Sequence, residues 1–404
     1  MELYLPLVLD GATGTQLQKR GYTGGICAEQ WVQQHPQAIL DVQMQYIEAG
    51  SDIVYAPTFG ANCVKLEENG IYDSVPAYNT ALAGLSKQAA KGRALVAGDM
   101  APTGKFLRPM GDASFEQLVQ IYTEQAAALE QAGVDLFVIE TTMTMAEGRA
   151  ALLAVKSVSR KPVLVTFTCD ENGRTLTGTD VTAALVVMQG MGADAFGLNC
   201  SVGPQDMLTQ LRRLREYAEI PLIAKPNAGK PELNDGRTVY RCTPQEFIEY
   251  LPQFAQAGVA LFGGCCGTGP EHIRAVRETV DTLQIAPPCP AHPELLPAAT
   301  EKKVFPLSPD TVCSRVLPCD AKLAEALEEP DDSVKVIGIR IETAAQAELF
   351  GELQYAVDRP LCLLCEDAQL LERTLRLYQG RALYEGTLPE SVLQPLAKKY
   401  GLIY

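Results

Sequence analysis

The sequence predicts an α/β protein: a (β/α)8 barrel of the TIM type, followed by a small C-terminal α/β unit. Two observations carry the barrel. Eight short apolar, β-rich runs recur, at residues 7–10, 53–56, 94–97, 136–139, 163–166, 195–198, 222–225 and 260–262. Amphipathic stretches lie between them, such as 115–132, with alanine and leucine at helical spacing. Strand–helix alternation calls for a parallel sheet with right-handed crossovers. Eight units in about 280 residues match a closed barrel, whose usual size is about 250. The rival is an open doubly wound sheet, which should carry a glycine-rich dinucleotide loop after its first strand. The loop here, Asp10-Gly11-Ala12-Thr13-Gly14-Thr15, has the wrong spacing.

Element boundaries follow from local chemistry. Gly50, Gly133 and Gly258 each end a helical stretch just before a strand. The fifth and seventh loops are long and hold the hairpin turns Asp170-Glu171-Asn172-Gly173-Arg174 and Asn234-Asp235-Gly236-Arg237. Both are expected above the barrel mouth, as decoration or as a partial cover. The barrel should occupy residues 1–285, and 286–330, rich in proline, reads as an extended linker. Residues 331–404 form the small unit, with strands near 334–339, 360–364 and 382–384 and helices over 344–356, 368–378 and up to Lys399. Residues 401–404 look like a fourth strand beginning.

Composition narrows the partners. The 404 residues carry a net charge of −15, which repels nucleic acid. No apolar run reaches the ~18–20 residues of a membrane span. The start lacks the basic segment of a secretion signal, so the expected location is cytoplasmic and the expected partners include neither nucleic acid nor membrane. Twelve cysteines in that setting read as thiols and metal ligands rather than a disulfide framework.

The chain is organised around Gly263-Gly264-Cys265-Cys266-Gly267-Thr268. Adjacent side chains on an extended strand point to opposite faces, and the three glycines let the backbone depart from that so both sulfurs converge. A partner thiol should end another barrel strand. Cys200 ends the sixth, 65 residues before Cys265, about two βα units away. Three thiolates would hold Zn²⁺ with its fourth position open. The plainer readings are a packed Cys200 and a strained vicinal disulfide. A second zinc site at Cys313, Cys319, Cys362 and Cys365 is not expected, because 362–365 is an apolar strand without knuckle turns.

The motif at 10–15, Pro57-Thr58-Phe59-Gly60-Ala61-Asn62, Thr177-Gly178-Thr179, Gly197-Leu198-Asn199-Cys200-Ser201, Lys225-Pro226-Asn227-Ala228-Gly229 and the motif at 263–268 together resemble the homocysteine S-methyltransferase family. The likeness is to the homocysteine-binding N-terminal module of cobalamin-dependent methionine synthases. It implies Cys200, Cys265 and Cys266 as zinc ligands, with the homocysteine sulfur in the open position. It also implies Asp10 and Glu140 on the substrate's amino group, with backbone around Gly11 and the Asn227 side chain completing the pocket. Such a site makes methionine. No Asp-x-His-x-x-Gly corrinoid signature accompanies His35, His272 or His292, so the methyl group should come from a donor such as methylcobalamin on a separate corrinoid protein. The alternatives are an S-methylmethionine- or betaine-type donor, and a non-catalytic zinc- or homocysteine-binding subunit of a larger assembly. The small unit faintly resembles a fragment of a pterin-binding barrel.

Overall fold

The computed structural model describes residues 3–404 apart from 73, 109, 235–236, 330–332 and the side chain of Arg237. Eight strands form one parallel sheet: Leu7–Val8, Ile53–Tyr55, Leu95–Met100, Leu136–Thr142, Val163–Phe167, Ala195–Asn199, Leu222–Lys225 and Val259–Phe262. The eighth pairs with the first, and a parallel bridge from Leu9 to Ile53 joins the first to the second. The ring therefore closes as a (β/α)8 barrel.

The period of two along each strand sorts its side chains. One row of every strand fills the barrel: Leu9, Ile53, Leu136, Leu164, Ile223 and Leu261 are all fully buried together. The same rows, continued to the strands' C-terminal ends, turn polar at Asp99, Glu140, Asn199 and Lys225. The opposite row, including Phe137, Phe167, Phe196 and Phe262, packs outward against the helices. The barrel floor is apolar and its mouth is charged, which places the site.

Each helix begins and ends where local chemistry dictates. Helix Phe115–Ala132 starts at a Ser114–Gln117 capping box and stops at Gly133, whose φ of 73° suits a residue without a Cβ. The expected turn at 170–174 is present: Asp170 Oδ1 accepts from the amides of Asn172 and Arg174, with Gly173 at φ 77°. In the seventh loop, Glu232–Asn234 pairs with Arg237–Val239, whereas Asp235 and Gly236 of the expected turn lie outside the described residues.

The stretch 286–330 holds more than an extended connection. Leu296–Ala299 and Val304–Leu307 form an antiparallel hairpin with Pro297 opposite Pro306. Facing prolines fit a pair of positions that exchange no hydrogen bonds, which is how a proline-rich run can still be a strand. Arg315–Pro318 is the first strand of a parallel four-stranded sheet with Ile337–Arg340, Leu361–Leu364 and Leu383–Tyr384. Ile403 adds a bridge to Leu383, so the C-terminal end does begin a further strand. The expected start of this unit, at residue 331, lies outside the described residues.

The C-terminal sheet is packed onto the barrel. Leu317, Phe350, Tyr378 and Tyr400 belong to the same buried cluster as Phe167 and Val186. Arg149, fully buried on the helix after the fourth strand, donates to the carbonyls of Leu375 and Arg376 at 2.8 and 3.1 Å. It thereby satisfies the end of helix Ala368–Leu377, whose last carbonyls have no partner within the helix.

Candidate metal centre

Cys200, Cys265 and Cys266 meet at the C-terminal mouth. Their sulfurs all lie within 4.8 Å of one another, and Sγ of Cys200 is 4.0 Å from Sγ of Cys266. Sulfurs about 2.3 Å from one tetrahedral ion would stand roughly 3.8 Å apart. The set therefore fits a zinc ion after a small contraction, and three soft thiolates suit zinc rather than calcium or magnesium.

The backbone that brings them together differs from the expectation in one respect. Of the three loop glycines only Gly267 takes a positive φ, 84°. Gly263 and Gly264 serve close approach: a Cβ on the first would stand 2.9 Å from the Asp10 carbonyl, and on the second 2.5 Å from Thr268 Oγ1. The left-handed conformation falls instead on Cys200 and Ser201, at φ 62° and 58°. Non-glycine residues there carry strain of about 1–3 kcal/mol each. Neighbours hold the strain in place. Thr168 and Ser201 share a short hydroxyl–hydroxyl hydrogen bond. Asn199 Nδ2 donates to Thr141 Oγ1 at 2.7 Å while its Oδ1 accepts from the Thr141 amide.

The cysteine loop is tied to the first loop as well. The amides of Gly264 and Ala12 donate to the Asp10 carbonyl and to Thr268 Oγ1. Mutual contact within the cluster splits the thiols, drawing Cys266 below its ordinary value and pushing Cys265 above it. Tyr240, returning from the seventh-loop hairpin, packs against Gly267 of the cysteine loop, so that hairpin reaches the mouth.

The cysteines share a cavity of about 290 Å³ with Asp10, Gly11, Glu140, Asp99 and Lys225. Asn227, expected in the pocket, does not line it. It lies buried under the loop, where its neighbours Pro226 and Ala228 bond the backbone of Cys265 and Cys266. Asp10 is paired: Lys225 Nζ lies 2.8 Å from its Oδ1, and the Tyr55 amide donates to its Oδ2 at 2.7 Å. Lys225 also sits 3.5 Å from the centroid of the Tyr55 ring. Burial alone would lower this ammonium's pKa, but Asp10, Tyr55 and Glu140 raise it well above the usual lysine value.

Residues 7–280 match the profile of the homocysteine S-methyltransferases. The chain belongs to the homocysteine S-methyltransferase family. It is 34% identical over 294 residues to the methionine synthase of Mycobacterium leprae (strain TN), covering 68% of this chain and 24% of that protein. With the methionine synthase of Mycobacterium tuberculosis (strain ATCC 25618 / H37Rv) it shares 33% over 298 residues, covering 69% and 25%. The chain spans about a quarter of the length of these curated relatives. The oxidized form of the Escherichia coli homocysteine methyltransferase MmuM superposes with a TM-score of 0.58 at 25% identity, covering 67% of this chain and 95% of that one. Its metallated form, at 24% identity and the same TM-score, shows the shared fold. Among the described residues no helix is long and apolar enough to cross a membrane.

The sequence reading assigned Lys225 and Asp99 no place in the site. Each is a lone charge near the end of an apolar strand, on the row that faces the barrel interior. Burial pushes Glu140 up to about 7, with the negative charge of Asp10 adding to it. The folded chain therefore keeps a proton on Glu140 that the unfolded chain has lost, between about pH 4.5 and 7. Stability from this group is full below that window and is lost as pH rises through it. Relative to Glu140→Gln, which stays neutral, the substrate-free protein should lose melting temperature steadily from about pH 5 to about pH 7.5. A constant gap across that range would contradict this.

Proposed function

We propose that the chain is a zinc-dependent homocysteine S-methyltransferase that forms methionine with a methyl group delivered from outside the chain. The supporting observation is the cluster of three thiols at one mouth of the barrel, sharing a cavity with unpaired buried carboxylates. When bound, zinc supplies deprotonation of the substrate thiol near neutral pH, which leaves an electron-rich sulfur because three thiolates already offset the metal's charge.

The chain's own residues do the rest. Cys200, Cys265 and Cys266, which follow strands six and eight, would hold the ion beside the cavity. Backbone near Gly11, on the same cavity, would complete the amino-acid pocket. The substrate sulfur's new bond forms to the methyl carbon as the bond from that carbon to the donor breaks on the far side. No base is needed at that carbon, and none is supplied there.

The donor we favour is methylcobalamin on a separate corrinoid protein, in keeping with the methionine synthases among the relatives. The test is methionine formation from homocysteine with methylcobalamin, S-methylmethionine or betaine. Turnover with the corrinoid is expected, whereas turnover only with an onium donor would replace that part of the reading. No turnover with any donor by metal-replete chain would favour the non-catalytic subunit. Metal analysis should give one zinc per chain, and chelation should remove activity that added zinc restores.

A further inference from the structure

We propose, building on the zinc reading above, that the hairpin of Leu296–Ala299 and Val304–Leu307 is a strap across the fifth barrel loop. Glu301, in its turn, is then a positioning residue that keeps the metal-binding turn at Cys200 in shape. The hairpin lies beyond the stretch 7–280 that matches the family profile, so the strap is this chain's own addition to the barrel.

Among the described residues four non-glycine positions take a positive φ, and three of them are at the mouth: Thr141 at 58°, Cys200 at 62° and Ser201 at 58°. Such conformations persist only where neighbours over-determine them. Asn199 ties Thr141 to the cysteine strand, with its Nδ2 2.7 Å from Thr141 Oγ1. The fifth loop braces both ends of this group. At its start Thr168 shares a short hydroxyl bond with Ser201, next to Cys200. Near its end Thr177 donates its hydroxyl to the carbonyl of Met143, two residues past Thr141, at 3.3 Å.

The loop itself is held from two sides. Arg213, on helix Pro204–Arg215, fixes its base through Asp180 at 2.7 Å. The rest of its hold comes from outside the barrel. Thr179, fully buried, donates its hydroxyl to Glu301 Oε1 at 2.7 Å. The Asp180 amide donates to the Glu301 carbonyl at 3.2 Å, and Arg174 Nη1 to the Lys302 carbonyl at 2.7 Å. The hairpin is anchored in turn on the C-terminal unit, where Ala299 and Arg381 exchange backbone hydrogen bonds. Of the three bonds to the loop, only that from Thr179 ends on a side chain, and its acceptor is a carboxylate, the stronger kind. Metal affinity falls when the groups that orient its ligands are loosened. A fastened fifth loop therefore serves the ion through Ser201 and Thr141.

The experiment measures amide hydrogen exchange, and zinc release to a chelator, on the full-length zinc-loaded chain. Glu301→Ala should speed exchange of amides 174–180 about 10- to 100-fold, the worth of a hydrogen bond to a charged group, with the barrel helices unchanged. Zinc release should quicken about 3- to 10-fold, less than for a group touching a ligand, because Glu301 acts through the loop. Glu301→Gln keeps an oxygen for the Thr179 hydroxyl and should return both readouts to within about twofold of wild type. Thr179→Val removes the same bond from the loop side and should match Glu301→Ala, with the double variant no looser than either. Unchanged exchange in both single variants, or a glutamine variant as loose as alanine, overturns the strap. Faster exchange with unchanged zinc release overturns the positioning role of Glu301. A wild type that holds no zinc overturns the zinc reading, and exchange alone then decides the strap.

Discussion

Cys200→Ala is expected to release the metal and to lower methionine formation at least a thousandfold. Three thiolates are the fewest that hold zinc with one position open, and removing one leaves two adjacent cysteines on a single loop. Metal activation of a nucleophile is worth several kcal/mol of barrier, and about 1.4 kcal/mol is a factor of ten. The backbone sharpens the test. Cys200 sits at φ 62°, braced by the bonds that Asn199 and Ser201 make to Thr141 and Thr168, and alanine has the same conformational cost there. The loop geometry should therefore survive and the effect should report the lost sulfur. Cys289→Ser, at an exposed position beyond the barrel, should leave metal and activity unchanged. Full zinc occupancy in Cys200→Ala would show that the third ligand lies elsewhere.

The sequence made the barrel legible because its signal is repeated eight times, and no single short strand had to be right. The cysteines were legible because Cys200 follows directly on a barrel strand and Cys265 and Cys266 come two glycines after another, and strand ends at one face of a parallel ring meet whatever the loop lengths. The C-terminal unit was harder to read. Its first strand, Arg315–Pro318, is four residues long and ends in proline, and the hairpin before it carries prolines at facing positions. Composition read these as linker because proline usually breaks a ladder. An edge strand or an unbonded pair tolerates it, and pairing partners are not visible in local sequence. The charged floor of the pocket was missed for a related reason. Asp99 and Lys225 lie in runs whose apolar neighbours define the strand, and only the closed ring shows that both point inward beside Asp10 and Glu140. The left-handed turn at Cys200 and Ser201 had no glycine to announce it.

Lys225→Met should be the most destabilising single change in the pocket, costing about 3–5 kcal/mol near neutral pH, the usual loss when one partner of a buried pair is removed. Methionine keeps the length and apolar bulk of the lysine stem, so little packing is lost. What remains is Asp10, 1% exposed, with one oxygen on the Tyr55 amide and the other facing Asp99 and Glu140 across the cavity. The ion pair itself is a poor source of stability, since desolvating both charges offsets most of their attraction. Its removal as a unit should therefore be far milder. Asp10→Asn combined with Lys225→Met is expected to recover most of the loss, because the amide keeps the acceptor for Tyr55 without a stranded charge. Denaturant unfolding of the wild type, both single variants and the double variant measures this coupling directly. A double variant as unstable as Lys225→Met alone would mean that the lysine acts through packing or through Tyr55, whose ring it covers at 3.5 Å. Recovery would place the charge balance of this side of the pocket in the Lys225–Asp10 pair.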